Sequence, residues 1–434
     1  MGRYSASTLE HYFLTKRVEA VSPRPLFDSA ESILGDYADF QDLHPEMAPY
    51  LAAFPREIKV ETDLRHARAF LKSYSESPST FKNYRGYLER LILWSWIIQN
   101  KSVLDLTRTD AEAFLAFNLA PPKSWVGASA MRRYSPKDGL LMFNPRWRPF
   151  GVKIDKADRK RAAESNVKPV ANKKKQGSGS TDLVYSVACS FYDFLLQDGM
   201  DIASPFKSIK RVKGKRLKPK IKALTTLQWD YLVGEAEAMA NEDPKHERTL
   251  FIVVALFAMY LRVGDLSGRD DWLPTMNSFF KRNGSWWFEV VGKGNKEREI
   301  TVKDAFIPYL KRYRESLNMS PLPSKSDDAP LLYTSHGRPN LTARQIRNIV
   351  QPVFDRARIR MQADGQPADE CQELMEVTLH WLRHTGATFD AKFRDAKHLQ
   401  MDLGHESLST TQDIYYNAIN QERSASNRGS IRGR

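Results

Sequence analysis

Near its end the chain brings together three side-chain types that handle phosphate. His380 and Arg383 stand three residues apart, so on a helix they share one face. Gly404 and His405 follow, and Tyr415 and Tyr416 lie ten and eleven residues beyond His405. An arginine grips a phosphate through parallel hydrogen bonds. A histidine donates to a phosphate oxygen or moves a proton. A tyrosine can attack phosphorus and hold the product covalently. Each pair alone is a common coincidence. His380 and His384 also have the i, i+4 spacing of a zinc pair, but Trp381 stands where that motif needs glutamate. No metal is therefore assigned, and no cofactor is implied.

Upstream elements have to present these groups. Residues 250–261 are almost wholly apolar and predict a buried helix, too short to span a bilayer. It runs into Leu261-Arg262-Val263-Gly264-Asp265-Leu266, where a cation on an apolar helix must find an anion or pair with Asp265. Residues 286–291 and 297–302 read as two strands around the turn Gly292-Lys293-Gly294-Asn295-Lys296. A lysine on such a turn is either simply solvated or aimed at a ligand. Thr225 or Thr226 predicts a capped helix start, and a further helix is expected to begin near Thr342.

In the order H-x-x-R-H-T, L-G-H and T-T-x-D-I-Y, preceded by L-R-V-G-D and G-K-G-N-K-E-R, the chain resembles the tyrosine recombinases, or phage integrase family. The resemblance is strong over residues 224–420, covers general architecture over 58–205 and is absent over 1–57. It implies a mostly helical fold with a small β-hairpin or sheet in the catalytic domain, and DNA strand cleavage and religation through a 3′-phosphotyrosyl link, without metal or cofactor. Carried over by position, Arg262 and Arg383 clamp the non-bridging oxygens and His405 adds a hydrogen bond. His380 helps take the tyrosine proton, Lys293 protonates the departing 5′ oxygen, and Tyr415 is the nucleophile. Many members place that tyrosine nine residues after the histidine, where this chain has Ile414. The form with the tyrosine at ten selects Tyr415, with Tyr416 as the alternative. The implied partner is a double-stranded DNA recombination site, bound by a homotetramer on two duplexes, with accessory DNA-bending or partner recombinase proteins as further candidates. The implied setting is a mobile element's integrase or transposon recombinase. A type IB topoisomerase is the nearest alternative chemistry, though such enzymes tend to carry lysine at the His380 position. A non-catalytic DNA-binding paralogue is the alternative outside catalysis.

Composition agrees with a DNA partner. The 434 residues carry a formal net charge of +14, which calls for an acidic partner. Cys189 and Cys371 form no disulfide framework, and residues 1–17 lack a signal-peptide core. The expected location is therefore cytoplasmic, on the nucleoid, with no membrane. The length predicts several domains. Residues 1–57 read as an N-terminal extension and 58–206 as a helical core-binding domain with an irregular insertion at 121–180. A basic linker at 207–222, a catalytic domain at 223–420 and a basic tail at 421–434 complete the division. In the linker, Lys207, Lys210, Arg211, Lys213, Lys215, Arg216, Lys218 and Lys220 are expected to follow a phosphate backbone. Ser79 is expected to cap a helix through residue 98, and Lys82, Arg85 and Arg90 lie off its apolar stripe, facing either phosphates or solvent. In the insertion, Arg132, Arg133, Lys137, Arg146 and Arg148 interleave with Trp125, Tyr134, Phe143, Trp147 and Phe150. That mixture suits nucleic acid, and equally a loop packed on its own domain.

Overall fold

The computed structural model describes residues 21–128, 131–152, 154–167, 178–210, 222–268, 272–292, 297–407 and 411. Two compact units divide between Lys215 and Arg216, and each has its own apolar core.

The first unit is mostly helical. Three short helices, α1 (Ala30–Leu34), α2 (Tyr37–Leu43) and α3 (Met47–Ala52), precede α4 (Val60–Lys72), α5 (Pro78–Trp94) and α6 (Arg108–Leu119). Two small sheets follow. In one, β1 (Val126–Ala128) pairs in parallel with β4 (Phe150–Val152); in the other, β2 (Tyr134–Lys137) pairs antiparallel with β3 (Leu140–Phe143). Helices α7 (Lys156–Glu164) and α8 (Ser178–Gln197) complete the unit. The core joins Phe70, Leu91, Trp94, Phe114 and Phe191 to Leu26, Phe27, Phe40 and Met47, so residues 26–54 are built into this unit.

Two local expectations change here. Helix α5 opens at Pro78 with Ser77, not Ser79, at its N-cap, since proline at the first helical position gives up an N–H that has no partner anyway. Arg85 and Arg90 are half-buried and bonded to backbone carbonyls of their own unit. Arg85 donates to the carbonyl of Asp28, while Arg90 donates to that of Pro149 at 3.0 Å and lies 4.4 Å over the Phe150 ring. In the insertion, Trp125, Tyr134, Trp147 and Phe150 are buried core residues. Arg133 donates to Phe27 O at 2.7 Å and pairs with the buried Glu89. Burial of rings and pairing of this cation favour internal packing for that part. Arg132, Lys137 and Arg146 remain exposed.

The second unit wraps helices around one buried helix. Helix α9 (Thr226–Glu242) starts at Thr225, whose side chain and Gln228 form a capping box. Helix α10 (Glu247–Ala258) buries Leu250 through Leu256 without a break. A single turn, α11 (Val263–Leu266), follows. Strands β5 (Phe279–Arg282), β6 (Ser285–Val291) and β7 (Glu297–Thr301) form an antiparallel sheet in the order β5-β6-β7. Then come α12 (Ile307–Ser316), α13 (Ala343–Ala363), capped by Thr342, α14 (Ala368–Glu373), α15 (Leu379–Asp390) and α16 (Ala396–Leu403). Helix α15 crosses α10 where Gly386 leaves no room for a side chain: a Cβ there would sit 2.0 Å from Phe257 O. Among the described residues, no helix is long and apolar enough to cross a membrane.

Candidate active site

Four of the six expected site residues are described, and three converge on the turn after α16. Arg262 caps α11, directly after the backbone leaves α10 through Tyr260, a non-glycine residue at φ +52°. A left-handed tyrosine costs on the order of 1–2 kcal/mol, so the surrounding contacts must hold it there. Arg383 sits within α15 and is 1% exposed. It donates to Tyr260 O and Leu403 O, each at 2.5 Å, and to His405 Nε2 at 3.2 Å. Arg262 donates to Gly404 O at 3.2 Å. Both guanidinium groups are thus tied to residues 403–405.

The bond to Arg383 fixes the state of His405. A guanidinium only donates, so His405 Nε2 accepts. The proton then lies on Nδ1, which donates to Thr411 Oγ1 at 3.1 Å. Thr411 is four residues before Tyr415, so this contact ties the start of the tyrosine-bearing segment to the site. His380 is exposed one helical turn before His384, their rings edge to face at 4.4 Å.

Asp265 does not neutralise the Arg262 guanidinium by a hydrogen bond. Its carboxylate accepts the backbone N–H of Arg262 at 2.8 Å and pairs with Arg298 at 2.6 Å. Arg298 is a site residue that the sequence reading passed over. The signal was present: alternation along β7 puts it on the same face as the fully buried Ile300. It also packs against Gly404, where a Cβ would meet Arg298 Nη1 at 2.6 Å. Gly404 itself has φ +59°, a conformation that suits glycine. Gly404→Ala should therefore move Arg298 off Asp265 and slow catalysis about tenfold or more, checked by single-turnover rates.

The cluster carries more positive charge than its carboxylate balances. Burial first, then Arg262 and Arg298, push Arg383 down to about 9. Burial, followed by Arg383, Arg262 and Arg298, pushes His405 down to about 4. His384 is also pushed down to about 4, by burial and then His380, Arg383 and His405. His380 is lowered by burial, Arg383 and Arg262. Both strongly shifted histidines are neutral at pH 7. Below about 6.5 the unfolded chain binds protons that the folded site refuses, so this contribution to stability falls with pH from about 6.5 toward about 4. Denaturant unfolding at pH 7 and pH 5 should show that loss, and His384→Gln should make it smaller.

Lys293, Tyr415 and Tyr416 lie outside the described residues, as do Arg211, Lys213, Lys215, Arg216, Lys218 and Lys220 of the basic run. Lys207 pairs with Asp193 at 2.5 Å, and Lys210 is exposed. Among the described residues, no three His, Cys, Asp or Glu side chains are grouped to hold a metal ion.

The second unit matches the model of the phage integrase family over residues 227–422. Tyrosine recombinase XerD of Rhizobium meliloti is 30% identical over 237 residues, covering 53% of this chain and 67% of that protein. The chain belongs to the phage integrase family of tyrosine recombinases. It is thus a site-specific recombinase, an enzyme that breaks and rejoins DNA. Tyrosine recombinase XerC of Lactobacillus delbrueckii subsp. bulgaricus is 29% identical over 245 residues, covering 56% of this chain and 74% of that one. The fold resembles XerH site-specific recombinase, solved with its palindromic difH substrate in a post-cleavage complex. The TM-score is 0.52 at 13% identity, with 95% of this chain and 98% of that chain covered. The expected fold class, mostly helical with a small catalytic-unit sheet, holds.

Proposed function

We propose that this recombinase cleaves double-stranded DNA with Tyr415, held by Arg262, Arg383, His405, His380 and Lys293, and serves a mobile element as its integrase or transposon recombinase. One observation carries the chemical part. Arg262, Arg383 and Arg298 cluster around a single bonded carboxylate, Asp265, among the described residues. Such a site is short of negative charge, and a phosphodiester supplies it. The clamp stabilises the charge that develops at phosphorus. His405 is neutral with Nε2 accepting from Arg383; when a phosphate takes over the Arg383 donor, the ring donates to it from Nε2 as the other tautomer, and the Thr411 hydroxyl then donates to Nδ1. His380 takes the tyrosine proton, because a phenol with its ordinary value near ~10 is a poor nucleophile while protonated. Lys293 protonates the leaving 5′ oxygen, and the 3′-phosphotyrosyl link keeps the bond energy for religation.

The mobile-element role follows the resemblance to the phage integrase family, and the sequence matches to XerD and XerC leave room for it. Those matches cover 53–56% of the chain, so the remainder differs from them in sequence and would set this recombinase's own target. DNA recombination sites are the substrate, a homotetramer on two duplexes the working assembly, and the cytoplasmic nucleoid the location. Accessory DNA-bending proteins or a partner recombinase would join that assembly. The basic run from Lys207 to Lys220 supplies cations to the DNA phosphate backbone.

The test starts from duplexes selected out of random-sequence DNA by binding to the full chain. A nicked suicide version of the selected duplex should give an SDS-resistant, protease-sensitive adduct in EDTA. Failure to form it on a tightly bound duplex would overturn the catalytic reading. Binding should also weaken steeply with salt, log K falling against log salt with a slope near −0.9 per phosphate contacted. Affinity that is flat from about 50 to about 200 mM salt would remove the linker from the interface.

A further inference from the structure

Tyr260 meets both α15 and α16 and holds Arg383. Its ring lies in a small apolar cluster with Ala387 and Ala391 beside α15 and Leu399 and Leu403 on α16, separate from the main core. Its carbonyl, turned by the left-handed backbone, receives Arg383 Nη1 at 2.5 Å. Its hydroxyl donates to Asp390 and accepts from Arg394 at 3.2 Å. Asp390 also pairs with Lys303 at 2.5 Å. Arg394 pairs with Asp402 at 2.7 Å, and Asp402 accepts both from the Thr301 hydroxyl, at 2.5 Å, and from its backbone N–H, at 3.2 Å. Thr301 ends β7, the strand that carries Arg298. A continuous chain of bonds thus runs from the Tyr260 hydroxyl to the β7 hairpin, while the same residue's carbonyl holds Arg383 and its chain neighbourhood presents Arg262.

We propose that Tyr260 is a positioning residue that sets the spacing of Arg262 and Arg383 by tethering their shared turn, through its hydroxyl, to the Asp390–Arg394–Asp402 network and so to the β7 hairpin. The proposal rests on the reading of the two arginines as the phosphate clamp. A phenylalanine keeps the ring in its apolar cluster and loses only the tether. A glycine suits the backbone but loses both ring and tether.

The full chain and the nicked duplex selected above supply the test, with DNA affinity and the single-turnover rate of adduct formation measured separately. Tyr260→Phe should bind DNA within about twofold of wild type and form adduct about tenfold more slowly, since small misplacements of a clamp cost rate rather than binding. Tyr260→Gly should be at least as slow. A Tyr260→Phe rate equal to wild type would overturn the proposal, whatever Tyr260→Gly does. So would a loss of affinity that accounts for the whole rate change. Arg383→Ala separates the two readings: if it forms adduct at the wild-type rate, the clamp itself is wrong. If it is inactive while Tyr260→Phe is unchanged, only the tether is wrong.

Discussion

Arg383→Ala is expected to lose cleavage by about 100- to 1,000-fold, the usual cost of removing one donor that stabilises charge in a transition state. It should also weaken the fold. The carbonyls of Tyr260 and Leu403 lose the donor that Arg383 supplies within 2.5 Å, and each buried acceptor left unpaired costs roughly 1–3 kcal/mol. For a unit of this size each kcal/mol lowers Tm by about 2–4 °C. Arg383→Lys distinguishes the two losses: it keeps a charge but cannot reach both carbonyls and a phosphate with one planar fork. Its adduct rate should stay far below wild type even at a temperature where it is fully folded. Recovery of the wild-type rate in Arg383→Lys would mean that charge alone, without the fork geometry, does the work.

Gly386→Ala should be the most damaging single methyl in the second unit. The new Cβ would lie 2.0 Å from Phe257 O and 3.2 Å from the Tyr260 ring, and backbone on the facing helix cannot swing aside as a flexible side chain would. Helices α10 and α15 have to separate. Overpacking of this kind costs about 1–3 kcal/mol and sometimes more. Arg262 follows α10 and Arg383 rides on α15, so the same separation widens the clamp. Thermal unfolding and adduct rate should fall together, and a variant as stable and active as wild type would show that the crossing is loose.

Much of this site was legible because its signals are local. Threonine before an apolar periodic run suggested starts at Thr225 or Thr226 and near Thr342, and Thr225 and Thr342 both carry full capping boxes. Arg262 at the end of an apolar run, and His380 and Arg383 one helical turn apart, were each a common coincidence by spacing, and only their order along the chain, through the family resemblance, singled them out. What spacing cannot show is which distant residue answers a charge. Arg85 and Arg90 look like free cations in sequence, yet their partners lie at residues 28 and 149. Asp265 looks like the natural mate of Arg262, yet Arg298, 33 residues away, takes its carboxylate. The Tyr260 network joins residues more than a hundred positions apart, and nothing in a run of hydrophobic letters marks Tyr260 as the residue that turns left-handed. Aromatic residues mixed with arginine left two readings open in a related way, because the same letters serve a nucleic-acid surface and a packed insertion. Only burial separates them.

The nucleophile is the central claim, and mapping the DNA-linked peptide tests it most directly. The covalent complex on the selected nicked duplex is digested and the nucleotide-bearing tyrosine read by mass spectrometry, in wild type, Tyr415→Phe and Tyr416→Phe. The expected result is a 3′-phosphotyrosyl nucleotide on Tyr415, lost in Tyr415→Phe and kept in Tyr416→Phe. A nucleotide on Tyr416 would keep the chemistry and move the nucleophile by one residue. A linkage to any other side chain, or none in wild type on a duplex it binds tightly, would contradict tyrosine catalysis at this site.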